Sequence, residues 1–136
     1  MRQLIAGNWK MNRLQVQAAA LARAIAADTN LVGCDLLICP PFTALGAVHA
    51  VIRGSRVALG AQDCHAEACG AFTGDVAAAM LADVGCSAVI VGHSERRQYH
   101  GETSTQVRAK AAAAAAAELM PIVCVGESEA ERDAGR

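Results

Sequence analysis

Short, unbroken apolar runs recur along the chain at nearly even intervals: LIAG from Leu4, LLIC from Leu36, VALG from Val57, AVIVG from Ala88 and MPIVCVG from Met120. Each is rich in Val, Ile and Leu and bounded by Gly, Pro or a polar residue. Continuous rather than alternating apolar residues predict strands buried on both faces, as in a parallel sheet. Between the runs the period becomes helical. Leu14, Ala18, Leu21, Ala22 and Ile25 fall on one side of NRLQVQAAALARAIAAD. PFTALGAVHAVI predicts a second helix with Thr43 as its cap. GDVAAAMLADVG predicts a third, stopped near Gly85. ETSTQVRAKAAAAAAAEL predicts the longest, capped by Ser or Thr at 103–105 and built on an alanine run of high helix propensity.

The strand starts near 4, 36, 57, 88 and 120 lie 29 residues apart on average. That is the length of one βα unit, and the alternation argues for an α/β fold with a parallel sheet. Two architectures satisfy it, a doubly wound open sheet and a (β/α)8 barrel. Eight units would take about 232 residues, near the ~250 typical of the barrel. The 136 residues hold four units and a fifth strand. A barrel would make residues 1–136 a partial domain whose C-terminal part lies outside. The tail GESEAERDAGR reads as the start of a further helix.

Composition changes the picture of the core. Alanine accounts for 31 residues, against 30 for Leu, Ile, Val and Phe together. Small side chains contribute little burial each, so they signal closely packed elements and a modest hydrophobic driving force. This argues against a large enzyme complete in itself and leaves open part of one. A net charge of -1 lacks the basic surplus of a nucleic-acid binder. No apolar run approaches the ~18 residues of a membrane span. The start MRQLIAGNWKMN meets Trp9 and Lys10 before a long apolar stretch, unlike a signal peptide. The six cysteines lack the spacing of a disulfide framework, and several sit in apolar runs such as LLICP. Reduced thiols and a cytoplasmic location are expected.

In both architectures ligands bind beyond the C-terminal ends of the strands. The polar residues there are Asn8 and Lys10, then Gln62, Asp63, Cys64 and His65, then His93, Ser94, Glu95 and Arg96, then Gly126 and Glu127. Lys10 suits a phosphate or a developing oxyanion, or is an ordinary surface lysine. His93 suits an acid, an electrophile, a ligand or a satisfied core group. Asn8 either orients Lys10, donates to a substrate oxygen or simply forms a turn. Glu95 and Arg96 read as supporting groups. Asp63, Cys64, His65, Glu67 and Cys69 invite a metal reading, yet their spacing fits no structural zinc pattern well. Neither GxGxxG nor GxxxxGK[ST] occurs.

Taken together, AGNWKMN at 6–12, CPPF at 39–42, GAQ at 60–62, GAFTGD at 70–75, VIVGHSERR at 89–97 and IVCVGE at 122–127 resemble the N-terminal part of the triosephosphate isomerase family. The resemblance runs in family order over nearly the whole chain. It implies a (β/α)8 TIM barrel, here its first five strands, that interconverts dihydroxyacetone phosphate and glyceraldehyde 3-phosphate without cofactor or metal. It also implies a homodimer, with no nucleic-acid or membrane partner. By motif position Asn8 and Lys10 are the substrate-contacting pair, His93 the catalytic electrophile and Glu95 an auxiliary carboxylate. Thr73 corresponds to the tip of the dimer-interface loop, and Gln62 is grouped with that loop. Asp63 stands where asparagine is common, and Asp75 where glutamate is usual. The family's carboxylate base follows its sixth strand and has no counterpart in these residues, so the 136-residue chain by itself is expected to be inactive. Two other readings remain: a non-catalytic structural fragment, and another sugar-phosphate enzyme on a βα scaffold.

Overall fold

The five apolar runs form five strands: β1 Gln3–Asn8, β2 Cys34–Cys39, β3 Val57–Ala61, β4 Ala88–Val91 and β5 Met120–Val123. The structure is a computed structural model that describes residues 3–28, 33–127 and 129–135. All four pairings are parallel, and the spatial order is β1-β2-β3-β4-β5. An order that never reverses has no switch point, which excludes the doubly wound sheet. Each strand is added on the same side of the last, and the twisted sheet curls into half a barrel.

Period-two alternation sorts the strand residues between two layers. Ile38, Val57, Leu59, Ala61, Val89 and Val91 pack with the helices, whereas Leu37, Cys39, Ala88 and Ile90 form a smaller cluster on the opposite face. The edge strands depart from the expected burial on both faces. Leu4 and Ile5 on β1 and Met120 and Val123 on β5 are exposed, because each edge strand has one neighbour.

The helices are α1 Gln15–Ala27, α2 Leu45–Ile52, α3 Ala78–Asp83, α4 Ser94–His100, α5 Ser104–Ala116 and α6 Glu129–Asp133. Ala18, Ala22 and Ala114 are fully buried. The rest of the alanine run is only partly so, with Ala112, Ala115 and Ala116 exposed. Thr103 caps α5 with a reciprocal box: Gln106 N–H donates to Thr103 Oγ1, and Thr103 N–H donates to Gln106 Oε1. Gly85, at φ 104, follows α3 where a stop was expected. Thr43 does not cap α2. It lies exposed inside a 3-10 turn, Phe42–Ala44, that Pro41 opens and that leads directly into the helix. The short helix α4 was not anticipated, since seven residues starting at a strand mouth carry no apolar period.

Candidate active site

Parallel strands bring their C-terminal ends to one rim, where the turn after β1 and the start of α4 meet. Asn8 ends β1, and its Oδ1 accepts the Lys10 backbone N–H at 3.0 Å. That local turn helps hold Lys10 at φ 55, a left-handed conformation for a residue with a Cβ. Gln62, just past β3, anchors the same turn from the sheet side. Its Nε2 donates to the Lys10 carbonyl at 2.9 Å and to the Cys39 carbonyl at 2.8 Å. Lys10 Nζ in turn donates to Glu95 Oε1 at 2.6 Å.

His93 is the N-cap of α4. Its Nδ1 accepts the Glu95 N–H at 3.2 Å, and Glu95 Oε2 lies 3.4 Å from the same nitrogen. The backbone N–H is always a donor, so Nδ1 presents its lone pair to it and Nε2 is the ring nitrogen left to donate. The Lys10 hydrogen bond, against the opposing effect of burial, holds the Glu95 carboxyl below its ordinary range. Arg97 braces the other flank. It donates from Nε to the Gly92 carbonyl at 2.8 Å and from Nη2 to the Cys124 carbonyl at 3.2 Å, joining the ends of β4 and β5. Gly92, His93, Ser94, Arg97, Cys124 and Glu127 line an open cleft of about 1000 Å³ beside β5.

A second layer of charge lies behind α4. Asp63 receives Lys110 Nζ at 2.8 Å on both oxygens, and its Oδ2 lies 3.0 Å from Arg96 Nε. Glu102 accepts from the same two cations, from Arg96 Nε at 3.2 Å and from Lys110 Nζ. Burial pushes the Asp63 carboxyl up, with Lys110 and Arg96 only partly offsetting it. At Glu102 burial also pushes upward, but the bonds from the two cations win and hold the carboxyl low.

Asn8, Lys10, Gln62, His93 and Glu95 thus form one connected group, with Arg96 behind it. Thr73 is separate. It is exposed on the loop 66–75, whose base is pinned by the His65 N–H to Val76 carbonyl bond, and it shares no hydrogen bond with the group among the described residues. Gln62 belongs with the rim, since its amide is occupied by carbonyls of the turn after β1 and of β2. The metal reading of residues 63–69 gains no support. Asp63 is held by cations and His65 Nδ1 accepts the Glu67 N–H, and no three metal-binding side chains gather among the described residues. Sequence reasoning missed Lys110 and Glu102. Lys110 carried a signal, lying three residues after buried Val107 and four before buried Ala114, on the inward stripe of α5. Glu102 carried none.

A profile of the triosephosphate isomerase family matches residues 3–136. The chain is 60% identical to triosephosphate isomerase of Afipia carboxidovorans over 137 residues, covering 99% of this chain and 54% of that protein. It is 55% identical to triosephosphate isomerase of Herpetosiphon aurantiacus over 136 residues, again 99% of this chain and 54% of the relative. The crystal structure of triosephosphate isomerase from Bartonella henselae superposes with a TM-score of 0.94 at 43% identity, over 99% of this chain and 56% of that one. The chain spans about half the length of the curated relatives it matches.

Proposed function

Because the chain belongs to the triosephosphate isomerase family, we propose that it supplies one wall of a site that interconverts dihydroxyacetone phosphate and D-glyceraldehyde 3-phosphate. The observation that carries this reading is the joined Lys10, Glu95 and His93 at a single rim. The interconversion removes a proton next to a carbonyl and leaves an enediolate, whose oxygen needs a hydrogen-bond donor. With Nδ1 occupied as an acceptor, His93 donates from Nε2 to that oxygen. The Lys10 ammonium offsets both the enediolate and the substrate phosphate. Glu95 holds the ammonium in place, and Asn8 and Gln62 hold the turn that presents it.

The carboxylate that takes the proton is assigned to the part of the family's chain beyond its fifth strand, so the 136 residues on their own are expected to be inactive. No cofactor or metal enters these steps. The same reading makes the full-length protein a cytoplasmic homodimer with Thr73 in the contact loop. Exposed Met11, Leu14 and Phe72 favour such a contact. Among the described residues, no helix is long and apolar enough to cross a membrane. The test is a coupled assay of triose phosphate interconversion on the full-length protein. Turnover that collapses on His93→Gln supports the assignment, and a folded protein without turnover overturns it.

A further inference from the structure

We propose that Asp63 is a positioning residue for the Lys10, His93 and Glu95 group, holding α4 against the end of β3 through Arg96. The proposal rests on the functional reading above. Gln62 and Asp63 are consecutive, and together they reach both sides of the group. Gln62 holds the Lys10 carbonyl, while Asp63 holds Arg96, the chain neighbour of Glu95. The first turn of α4 is therefore tied in two directions, by Arg97 to β5 and by Arg96 to β3. Where Glu95 meets Lys10 depends on the β3 side, because the Lys10 turn is anchored there as well.

The identity of residue 63 matters because the surroundings are buried. Asp63 is 8% exposed and Glu102 also 8%, and their carboxylates face two cations, Arg96 and Lys110. Two negative and two positive groups balance. Glu102 Oε2 has no hydrogen-bond partner among the described residues, so the two cations are held through Glu102 Oε1 and the Asp63 carboxylate alone. An alanine at this place would leave Arg96 and Lys110 with Glu102 as their one carboxylate among the described residues. The cations would then compete for Glu102, and the Arg96 tie would loosen.

The decisive comparison is Asp63→Ala in the full-length protein, read by a 13C titration of the Glu95 carboxyl, by kcat/KM and by thermal melting. The Glu95 pKa should rise toward its ordinary 4.5 as the Lys10 bond slackens. kcat/KM should fall about tenfold, less than the ~10²-fold that a full ångström of misplacement can cost. A lower melting temperature with an unchanged Glu95 titration and unchanged kcat/KM would overturn the proposal and leave Asp63 merely structural. If Asp63→Ala does not fold, Arg96→Lys interrogates the same link, since it keeps the charge and loses the Nε bond; the same outcomes apply. If the wild-type protein shows no turnover, the functional reading fails, and the Glu95 titration alone decides the positional claim.

Discussion

Lys10 Nζ and Glu95 Oε1 lie 2.6 Å apart, joining the turn after β1 to the first turn of α4 across 85 residues of sequence. Both side chains are about half exposed, at 52% and 42%. Such a pair adds little to stability, because water competes for each partner. Its consequence is placement: a flexible four-carbon side chain is held at one point of the rim.

Glu95→Gln should therefore leave the melting temperature almost unchanged while lowering turnover of the full-length protein, on the order of tenfold to a hundredfold. The pair should also survive mild acid. The folded Glu95 carboxyl sits below its ordinary 4.5, chiefly through the Lys10 bond, so its contribution is present above that value. It is lost only as pH falls through the lower folded value. A carboxyl titration followed by NMR checks this, and a midpoint at or above 4.5 would contradict it.

Gly92, at φ 68, precedes His93 where any side chain is crowded. An added Cβ would lie 2.7 Å from both Val107 methyls and 2.9 Å from Arg97 Nη2. Gly92→Ala should cost about 2–4 kcal/mol from overpacking together with left-handed strain. Urea unfolding measures the loss, and turnover should fall with it because Arg97 and His93 move. A cost below about 1 kcal/mol would mean that Val107 yields without strain.

Thr103→Ala removes the cap of α5 and should cost about 1 kcal/mol, whereas Thr103→Ser should be nearly neutral. Paired urea midpoints for the two variants separate the cap from the loss of a methyl group.

The thiols should divide by burial. Burial pushes Cys39 and Cys86 up to about 12, with each other's proximity adding at Cys39, and pushes Cys64 up to about 11. Exposed Cys69 should alkylate first at neutral pH, and Cys69→Ser should remove that fast phase. The raised values also set an alkaline limit. Their stabilising contribution is complete below 9.0 and is lost as pH rises from there toward about 12. Alkaline unfolding that begins well below pH 9.0 would have to arise from other groups.

The strands were legible because runs such as AVIV and LLIC leave no other way to bury their residues, and the even spacing between them made the parallel arrangement readable. Spacing alone permits both a reversing and a continuous sheet, and the motifs' resemblance to the family pointed to the continuous one that is found. Asn8, Lys10, His93 and Glu95 stood out as polar residues at strand ends and through their motifs. Their bonds did not, because the Lys10 to Glu95 contact is set by where α4 starts, and that helix has too few residues to show a period. Asp63 drew notice as a possible metal ligand and proved to be an ion-pair partner. Its counterions lie 33 and 47 positions away in sequence, beyond the reach of local pattern.

The continuous strand order has a kinetic consequence. Gln3 pairs with Cys34, Leu36 with Val57, Gly60 with Ala88 and Ala88 with Met120, so each edge of the growing sheet is met by the next strand 21 to 32 residues later. No pairing skips a neighbour among the described residues. Within the described sheet, every loop closure is then a short one between strands consecutive in sequence. A chain built this way can assemble in the order in which a ribosome releases it, with each completed unit serving as the template for the next.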